Sequence, residues 1–477
     1  HTSTKGFSNP MVLKPDSISG VARFAVANNC MMRIRPTDHG NIGDSVLHTN
    51  SEYSVFSSRS TTNDVLGLTK RLLRDYPESY TPGAFDQAIN VVKSRARCLV
   101  PMTESKLLSC YSGAKLGRYQ AAANELQQTP LERKHFAISS FVKRERYKDP
   151  LAYPRMVHHR SYMCIFEMLR YIKPIEHKLY KMRFDVENLT AEETVVAKGA
   201  NGNRRYELIS AKMSRFKNPC VFSLDCSSFE LHTDYEYLKD EIDILRAFYP
   251  HDKYWFWITS NLLHNFGHTS NGVTWARTGG RVSGDAHTGL ANTLAMIIAV
   301  LQLAINNPHV KMDFLSDGDD TLLFFERGTL QFGMIQNHFR LFGHQLRLDK
   351  IAYCLEDVLF CQHRFLDGCM IRSPKDIIDK ALVAVSNLAK QQPTTYYAGI
   401  GKGLRAVYGV IPEILQIAEK LISLDPTAEP TSEYWLKHPQ KGSLEVGRVF
   451  DIFDDDMSAD ASMVEECVKQ FTQNGVL

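Results

Sequence analysis

The 477-residue chain is short of several things that would have narrowed its class at once. Its ten cysteines include no CxxC pair. Cys354, Cys361, His363 and Cys369 match no zinc-ligand spacing, and the pattern fits reduced cytosolic thiols better than a disulfide framework. No apolar run is clean enough to cross a bilayer. The longest, residues 289–305, is broken by Asn292, Thr293 and Gln302 and reads as a buried core helix. No signal peptide, internal repeat or low-complexity tract is visible. The chain opens on His1 rather than Met and reads as a processed product or an excised piece. Charge of one sign is also lacking: 56 Lys and Arg against 53 Asp and Glu leave +3. That excludes a global polycation, so any nucleic-acid contact must come from local patches.

What is present is a globular composition, 44% apolar and 23% charged. Such a chain buries a large core, and its length suggests roughly three domain-sized units or one large fold with subdomains. The most unusual stretch runs from Asp313 to Phe325. Two apolar runs, Phe314–Leu315 and Leu322–Phe325, flank Asp317-Gly318, the signature of a tight hairpin. Asp317, Asp319 and Asp320 crowd its tip. Like charges that close raise each other's pKa unless a cation intervenes, and carboxylates suit Mg²⁺ or Mn²⁺ better than zinc. The bland alternative is a solvated hairpin with an acidic tip.

Other segments add to it. Phe141-Val-Lys-Arg-Glu-Arg-Tyr-Lys-Asp-Pro150 and Tyr153–Arg160 hold six Lys/Arg with interleaved His and Tyr. That is the chemistry of polyphosphate or RNA contact, or else of a solvated basic loop, and Val142, Tyr153 and Met156–Val157 predict strands that carry the charges. Cys220–Asp225 predicts a buried strand ending in a carboxylate, with Glu230 five residues on. Thr278–Asp285 is a Gly-rich loop entering the 289–305 helix, with Ser283 or Asp285 as a possible N-cap and Thr288 and Asn292 on one helix face. Asn63 or Asp64 would cap a helix with Val65, Leu68, Leu72 and Leu73 on its apolar face. Helices are also expected over 105–128, over 161–180 with a kink at Pro174, over 335–342, 375–390 and 411–424. Strands are expected at 345–348 and 358–362, and Asn201–Arg205 reads as a basic turn, equally a surface loop or an RNA contact. The aromatic cluster around Phe248–Trp257 reads as core, and Asp451 with Asp454–Asp456 as solvated surface.

In order, Asp225 with Glu230, Ser283-Gly284…Thr288…Asn292 and Gly318-Asp319-Asp320 resemble the three palm motifs of viral RNA-dependent RNA polymerases. Phe141-Val-Lys-Arg-Glu145, Pro154-Arg155, Arg160 and Tyr171–His177 resemble the tombusvirus-like branch of positive-strand RNA viruses. Val358–Gln362 and Met370-Ile-Arg372 resemble its primer-grip region. The matches span roughly residues 140 to 375.

The resemblance implies an α+β right-hand fold: fingers, palm and thumb around an antiparallel palm sheet flanked by helices. Residues 1–217 would form fingers with an N-terminal extension, 218–240 palm, 241–280 a fingers insertion, 281–372 palm and 373–477 thumb. It implies nucleotidyl transfer from NTPs with two Mg²⁺ (or Mn²⁺) ions held by Asp225, Asp319 and Asp320. Lys143, Arg155, Arg160, Glu230, Ser283, Thr288 and Asn292 are expected around the incoming NTP, and Arg144, Gly284 and Arg372 on RNA. Two positions depart from the family: Glu230 stands where Asp is usual, and Arg347 where a proton-donating lysine is usual. Lys350 is the candidate replacement for that lysine.

Template and nascent RNA, NTPs and other viral replication proteins are the implied partners, with primer-independent initiation. The implied location is host cytoplasm, at membrane-associated replication complexes to which other proteins recruit it. No GxxxxGK[ST] helicase loop is present. Reverse transcriptase is the near rival, a non-catalytic RNA-binding subunit the more distant one. A metal-dependent phosphatase or nuclease lacks the His-rich metal clusters it would use.

Overall fold

The computed structural model describes residues 22–27, 30–35, 46–48, 54–75, 78–147, 149, 152–184, 186–189, 193–382, 388–429 and 439–453. Its organising layer is a four-stranded antiparallel sheet in the order β10-β11-β7-β12, built from β7 (Pro219–Cys226), β10 (Met312–Asp317), β11 (Asp320–Glu326) and β12 (Leu346–Ala352). The strands β7, β10 and β11 are apolar along most of their length because both faces are covered. Successive residues alternate sides. Phe222, Leu224, Phe314, Leu323 and Phe325 join one core, together with helix α10 (Thr288–Asn306). Val221, Leu315, Leu322 and Phe324 join another, with Leu208, Ile209 and Met213 of α6 (Gly202–Met213). Helix α10 passes the length and hydropathy test for a membrane span, yet 89% of it is buried inside the protein, as its Asn, Thr and Gln residues suggested.

A second, six-stranded sheet draws on three distant parts of the chain. Its order is β1-β2-β9-β8-β5-β6, with β1 (Ala22–Ala27), β2 (Cys30–Ile34), β5 (Ile138–Val142), β6 (Met156–His159), β8 (His264–Thr269) and β9 (Val273–Thr278). All its pairs are antiparallel except β5 with β8. Val46–His48 with Ser54–Phe56 and Arg364–Leu366 with Cys369–Ile371 form two small hairpins. Among the C-terminal helices, Pro393–Tyr408 and Pro412–Ile422 pack against each other and enclose Val410, Ile411 and Ile414.

Several local expectations are corrected. The helix at Thr61–Arg71 is capped by Ser60, whose hydroxyl accepts from the Asn63 amide at 3.2 Å; Asn63 and Asp64 lie inside it, and buried Asn271 donates to Asp64 at 2.8 Å. The 105–128 segment is two helices, Glu104–Leu108 and Gly113–Gln128. The basic charges of 143–155 lie in the connection between β5 and β6, not on the strands. Asn201–Arg205 is no surface turn: Asn201 caps α6, accepting from the Arg204 amide at 3.0 Å, and Arg205 is buried. Neither Ser283 nor Asp285 caps α10, whose N-cap is His287. Residues 358–362 form only an isolated bridge, Phe360 with His363. Helix Tyr162–Leu179 forms over the expected span with Pro174 inside it. Phe248, Tyr249 and Trp255 are core as expected, while Tyr254 is 39% exposed. Asp454–Asp456 lie outside the described residues, as do Lys148 and residues 383–387 of the expected 375–390 helix.

Candidate active site

The acidic hairpin forms as the Asp-Gly signal predicts. Asp317 pairs with Asp320 at the last register position of β10 and β11. Gly318 takes φ +73°, a left-handed backbone that glycine adopts without a Cβ penalty. The turn is tied down from below: the Gly318 amide donates to Thr293 Oγ1 on α10 at 3.0 Å, and the Thr293 hydroxyl donates to Gly289 O at 2.8 Å.

Strand β7 brings the distant acid alongside. Thr321 pairs with Leu224, so the next step of that antiparallel register sets Asp225 against Asp320. Both line a cavity of 170 Å³ with Asp349, Cys361 and Gln362. Burial raises the Asp225 carboxyl above its ordinary range. The charges of Asp349 and Asp319 raise it further, and Arg347, its register partner on β12, opposes them. Asp320 is pushed up to about 6, by burial first and then by Asp319; a hydrogen bond with Cys361 pulls the other way, and Asp225 and Asp317 add to the rise.

Acids that raise one another's pKa in a partly buried cavity are short of positive charge. An all-oxygen donor set of this kind fits a hard divalent ion such as Mg²⁺ or Mn²⁺. Among the described residues no three His, Cys, Asp or Glu side chains converge closely enough to hold a metal ion, so Asp225, Asp319 and Asp320 are not a ready-made three-carboxylate site in this structure. Asp317 stands apart, since its charge is already met: Arg205 donates to Oδ2, and Lys198 Nζ lies 3.8 Å from Oδ1.

The expected phosphate contacts divide. Lys143, half-buried, and exposed Arg155 are neighbours: the Lys143 amide donates to Arg155 O at 2.8 Å, and both side chains reach Glu145, at 2.9 and 3.5 Å. Arg144 beside them is exposed. Arg160 is corrected. It is 1% exposed, and its Nε, Nη1 and Nη2 donate to Asp285 Oδ1 (2.7 Å), Phe136 O (2.7 Å) and Asn265 Oδ1 (2.6 Å). A guanidinium so enclosed supports the Gly-rich loop rather than a soluble anion.

That loop is pinned to β6. Ser283 Oγ accepts from the His158 amide at 3.3 Å, and the Gly284 amide donates to His158 O at 2.7 Å. A Cβ on Gly284 would sit 2.4 Å from that carbonyl oxygen, so close backbone approach is reason enough for the glycine. Thr288 donates to Val282 O at 2.6 Å. Asn292 is buried on α10 with its Oδ1 lacking a hydrogen-bond partner. Glu230 follows β7 in the short helix Phe229–His232, and its carbonyl accepts from the Arg281 amide at 3.0 Å. Lys350 pairs with Asp357 at 3.6 Å and does not line the acid cavity, whereas Arg347 acts on Asp225 directly. Arg372 lies against Gln362 and Tyr408.

Four residues of the site escaped sequence reasoning: Arg205, Thr293, Asp349 and Cys361. Asp349 stands two residues from Arg347 on β12, and strand period two, which sets such residues on one face, was the available signal. The other three meet the hairpin only through tertiary packing.

A family described as viral RNA dependent RNA polymerase matches residues 46–435. The chain is 28% identical over 334 residues to the RNA-directed RNA polymerase of Tobacco necrosis virus (strain A), covering 67% of this chain and 45% of that one. It is 32% identical over 300 residues to that of Tomato bushy stunt virus (strain Cherry), covering 59% and 35%. With that of Pothos latent virus (isolate Pigeonpea/India) it shares 28% over 422 residues, 83% and 56%. The chain thus spans about a third to just over half of the length of these curated relatives.

Proposed function

The chain belongs to the viral RNA-dependent RNA polymerase family, and we propose that it is the catalytic part of a plant positive-strand RNA virus replicase, joining NTPs on an RNA template. One observation carries the reading: the pairing of β7 with β11 brings Asp225 alongside Asp320 in one cavity, and the charge of Asp319, 94 residues after Asp225, raises both carboxyls.

In this reading the four-stranded sheet is the palm of a right hand. Asp225, Asp319 and Asp320 would hold two divalent ions, which when bound supply Lewis acidity for the attacking 3′-hydroxyl and the leaving pyrophosphate. Asp317 takes no part in holding them, since Arg205 and Lys198 already meet its charge. Lys143 and Arg155, held together through Glu145, present cations to the triphosphate. Asn292 offers its unpartnered carbonyl oxygen to a ribose hydroxyl, and Glu230 is the second polar group that the reading assigns to that sugar. Ser283 and Gly284 position the loop beside the template, Arg144 and Arg372 lie on the RNA path, and Arg347 serves as a fixed charge rather than a proton donor. Initiation without a primer, and recruitment in the host cytoplasm to membranes by other replication proteins, complete the proposal.

The test is incorporation of labelled NTPs on single-stranded RNA with Mg²⁺ or Mn²⁺. Wild type should extend product, and Asp319→Asn should lose at least about a thousandfold. A wild type that incorporates nothing, or an Asp319→Asn variant that keeps its rate, sinks the assignment. Incorporation of dNTPs in preference to NTPs would favour the reverse transcriptase reading.

A further inference from the structure

Helix α6 runs beside the hairpin arm β10 and meets it through acids at both ends. At the root, Asp313 accepts from Lys212 at 2.8 Å and Arg215 at 2.6 Å, with Lys212 and Asp313 fully buried. At the tip, Asp317 accepts from Arg205. Seven residues separate Arg205 from Lys212, two turns along one face of the helix, and four separate Asp313 from Asp317 along the strand.

Arg205 holds more than Asp317. Its Nε donates to Ala200 O at 3.1 Å, its Nη1 to Cys361 Sγ at 3.3 Å, and its guanidinium lies 5.6 Å from the centre of the Phe360 ring. Cys361 and Gln362 both have positive φ, +51° and +63°, a conformation that non-glycine residues keep only where their surroundings hold them. Cys361 in turn hydrogen-bonds Asp320. One planar fork thus ties three things together: the entry to α6, the tip of the acidic hairpin, and a strained loop leaning on a metal-facing carboxylate.

We propose that Arg205 is a positioning residue of the catalytic centre, fixing the hairpin tip against the Phe360–Gln362 loop and withdrawing Asp317 from the acids left open to metal. The inference rests on the polymerase reading of the site. Two roles follow, geometric and electrostatic, and they separate by substitution.

The experiment uses the full chain and reads Mn²⁺ binding by the free protein, from the electron paramagnetic resonance of unbound Mn²⁺, beside NTP incorporation at saturating Mn²⁺. Asp317→Asn leaves Arg205 and Lys198 without their acid and should weaken Mn²⁺ binding about three- to tenfold. Arg205→Met leaves a stray carboxylate and should not weaken it, yet incorporation should fall at least about tenfold. Arg205→Lys keeps the charge but not the fork, so Mn²⁺ affinity should stay at the wild-type value while incorporation falls at least about tenfold. The Arg205→Met/Asp317→Asn pair should bring Mn²⁺ affinity back towards wild type.

Arg205→Lys at the full wild-type rate overturns the positioning role. Asp317→Asn and Arg205→Met shifting Mn²⁺ affinity in the same direction, or neither shifting it, overturns the electrostatic one. If Arg205→Met does not fold, Asp317→Asn and Arg205→Lys still decide. A wild type that binds Mn²⁺ but incorporates no NTP would defeat the polymerase reading, while the binding measurements still report on the Arg205 network.

Discussion

Arg160 Nε donates to Asp285 Oδ1 at 2.7 Å, with the two side chains 1% and 2% exposed. The pair ties the end of β6 to the loop that enters α10. Breaking a buried pair from one side strands the other charge, at a cost of about 3–5 kcal/mol. Arg160→Ala should therefore lower stability in urea by that order. Arg160→Met/Asp285→Leu should recover much of the loss, because neither charge is left alone. A fully stable Arg160→Ala with a raised KM for NTP would return this residue to the phosphate contacts.

Asp320 gives the stability of the metal-free protein a particular pH dependence. Its carboxyl is pushed up to about 6 from an ordinary 3.8, so between roughly pH 4 and 6 the folded chain binds more protons than the unfolded one. Stability from this group is highest below that window and falls as pH rises through it; Asp225, raised in the same direction, adds to the fall. A divalent ion needs the ionised acids, so the rise in Tm on adding Mn²⁺ should be small near pH 5 and larger above about 6, and incorporation should decline as pH drops through the same range. Asp320→Asn should flatten the metal-dependent part. Asp64, also raised to about 6 by burial but located in the first helix, should leave its own metal-independent slope. A Tm rise with Mn²⁺ that ignores pH would count against this account.

Two glycines of the site should respond differently to alanine. At Gly318 a Cβ meets nothing within 4 Å, so Gly318→Ala carries only the penalty of its φ of +73°, about 1–2 kcal/mol. At Gly284 the same atom lies 2.4 Å from the His158 carbonyl, and the loop must part from β6. Gly284→Ala should be the more destabilising in chemical denaturation. The opposite order would contradict the close loop–strand contact.

Thr293→Val removes the acceptor of the Gly318 amide while nearly keeping the side chain's volume. An unmet buried amide costs about 1–3 kcal/mol, and here the cost falls on the acidic turn. Hydrogen exchange at Gly318 should accelerate and incorporation should drop, while Thr293→Ser should retain both properties. Unchanged exchange in the valine variant would show that α10 does not anchor the turn.

Much of the site was legible where short-range rules suffice. The Asp-Gly turn, the apolar strand ending at Asp225 and the long buried helix follow from local chemistry and periodicity, and the hairpin and β7 form where those rules put them. What failed was whatever depends on the partner. Arg160 and Arg205 look alike in sequence, basic residues in polar stretches, and both turn inward because Asp285 and Asp317 are waiting there. Residues 358–362 have strand composition, but two left-handed residues end any pairing. Lys350 and Arg347 differ by three positions on one strand with an irregularity between them, so sequence spacing did not reveal which one faces Asp225.

Strand β2 has β9 as its second neighbour, in register from Cys30 with Arg277 to Ile34 with Val273. During synthesis the ribosome therefore releases the first strands long before their partner exists. Until some 240 further residues have emerged, that ribbon has an open edge and no template. Completion of the six-stranded sheet thus waits on residues some 240 positions downstream of β2, and deleting β1 and β2 would bare an edge of β9 rather than trim a dispensable arm.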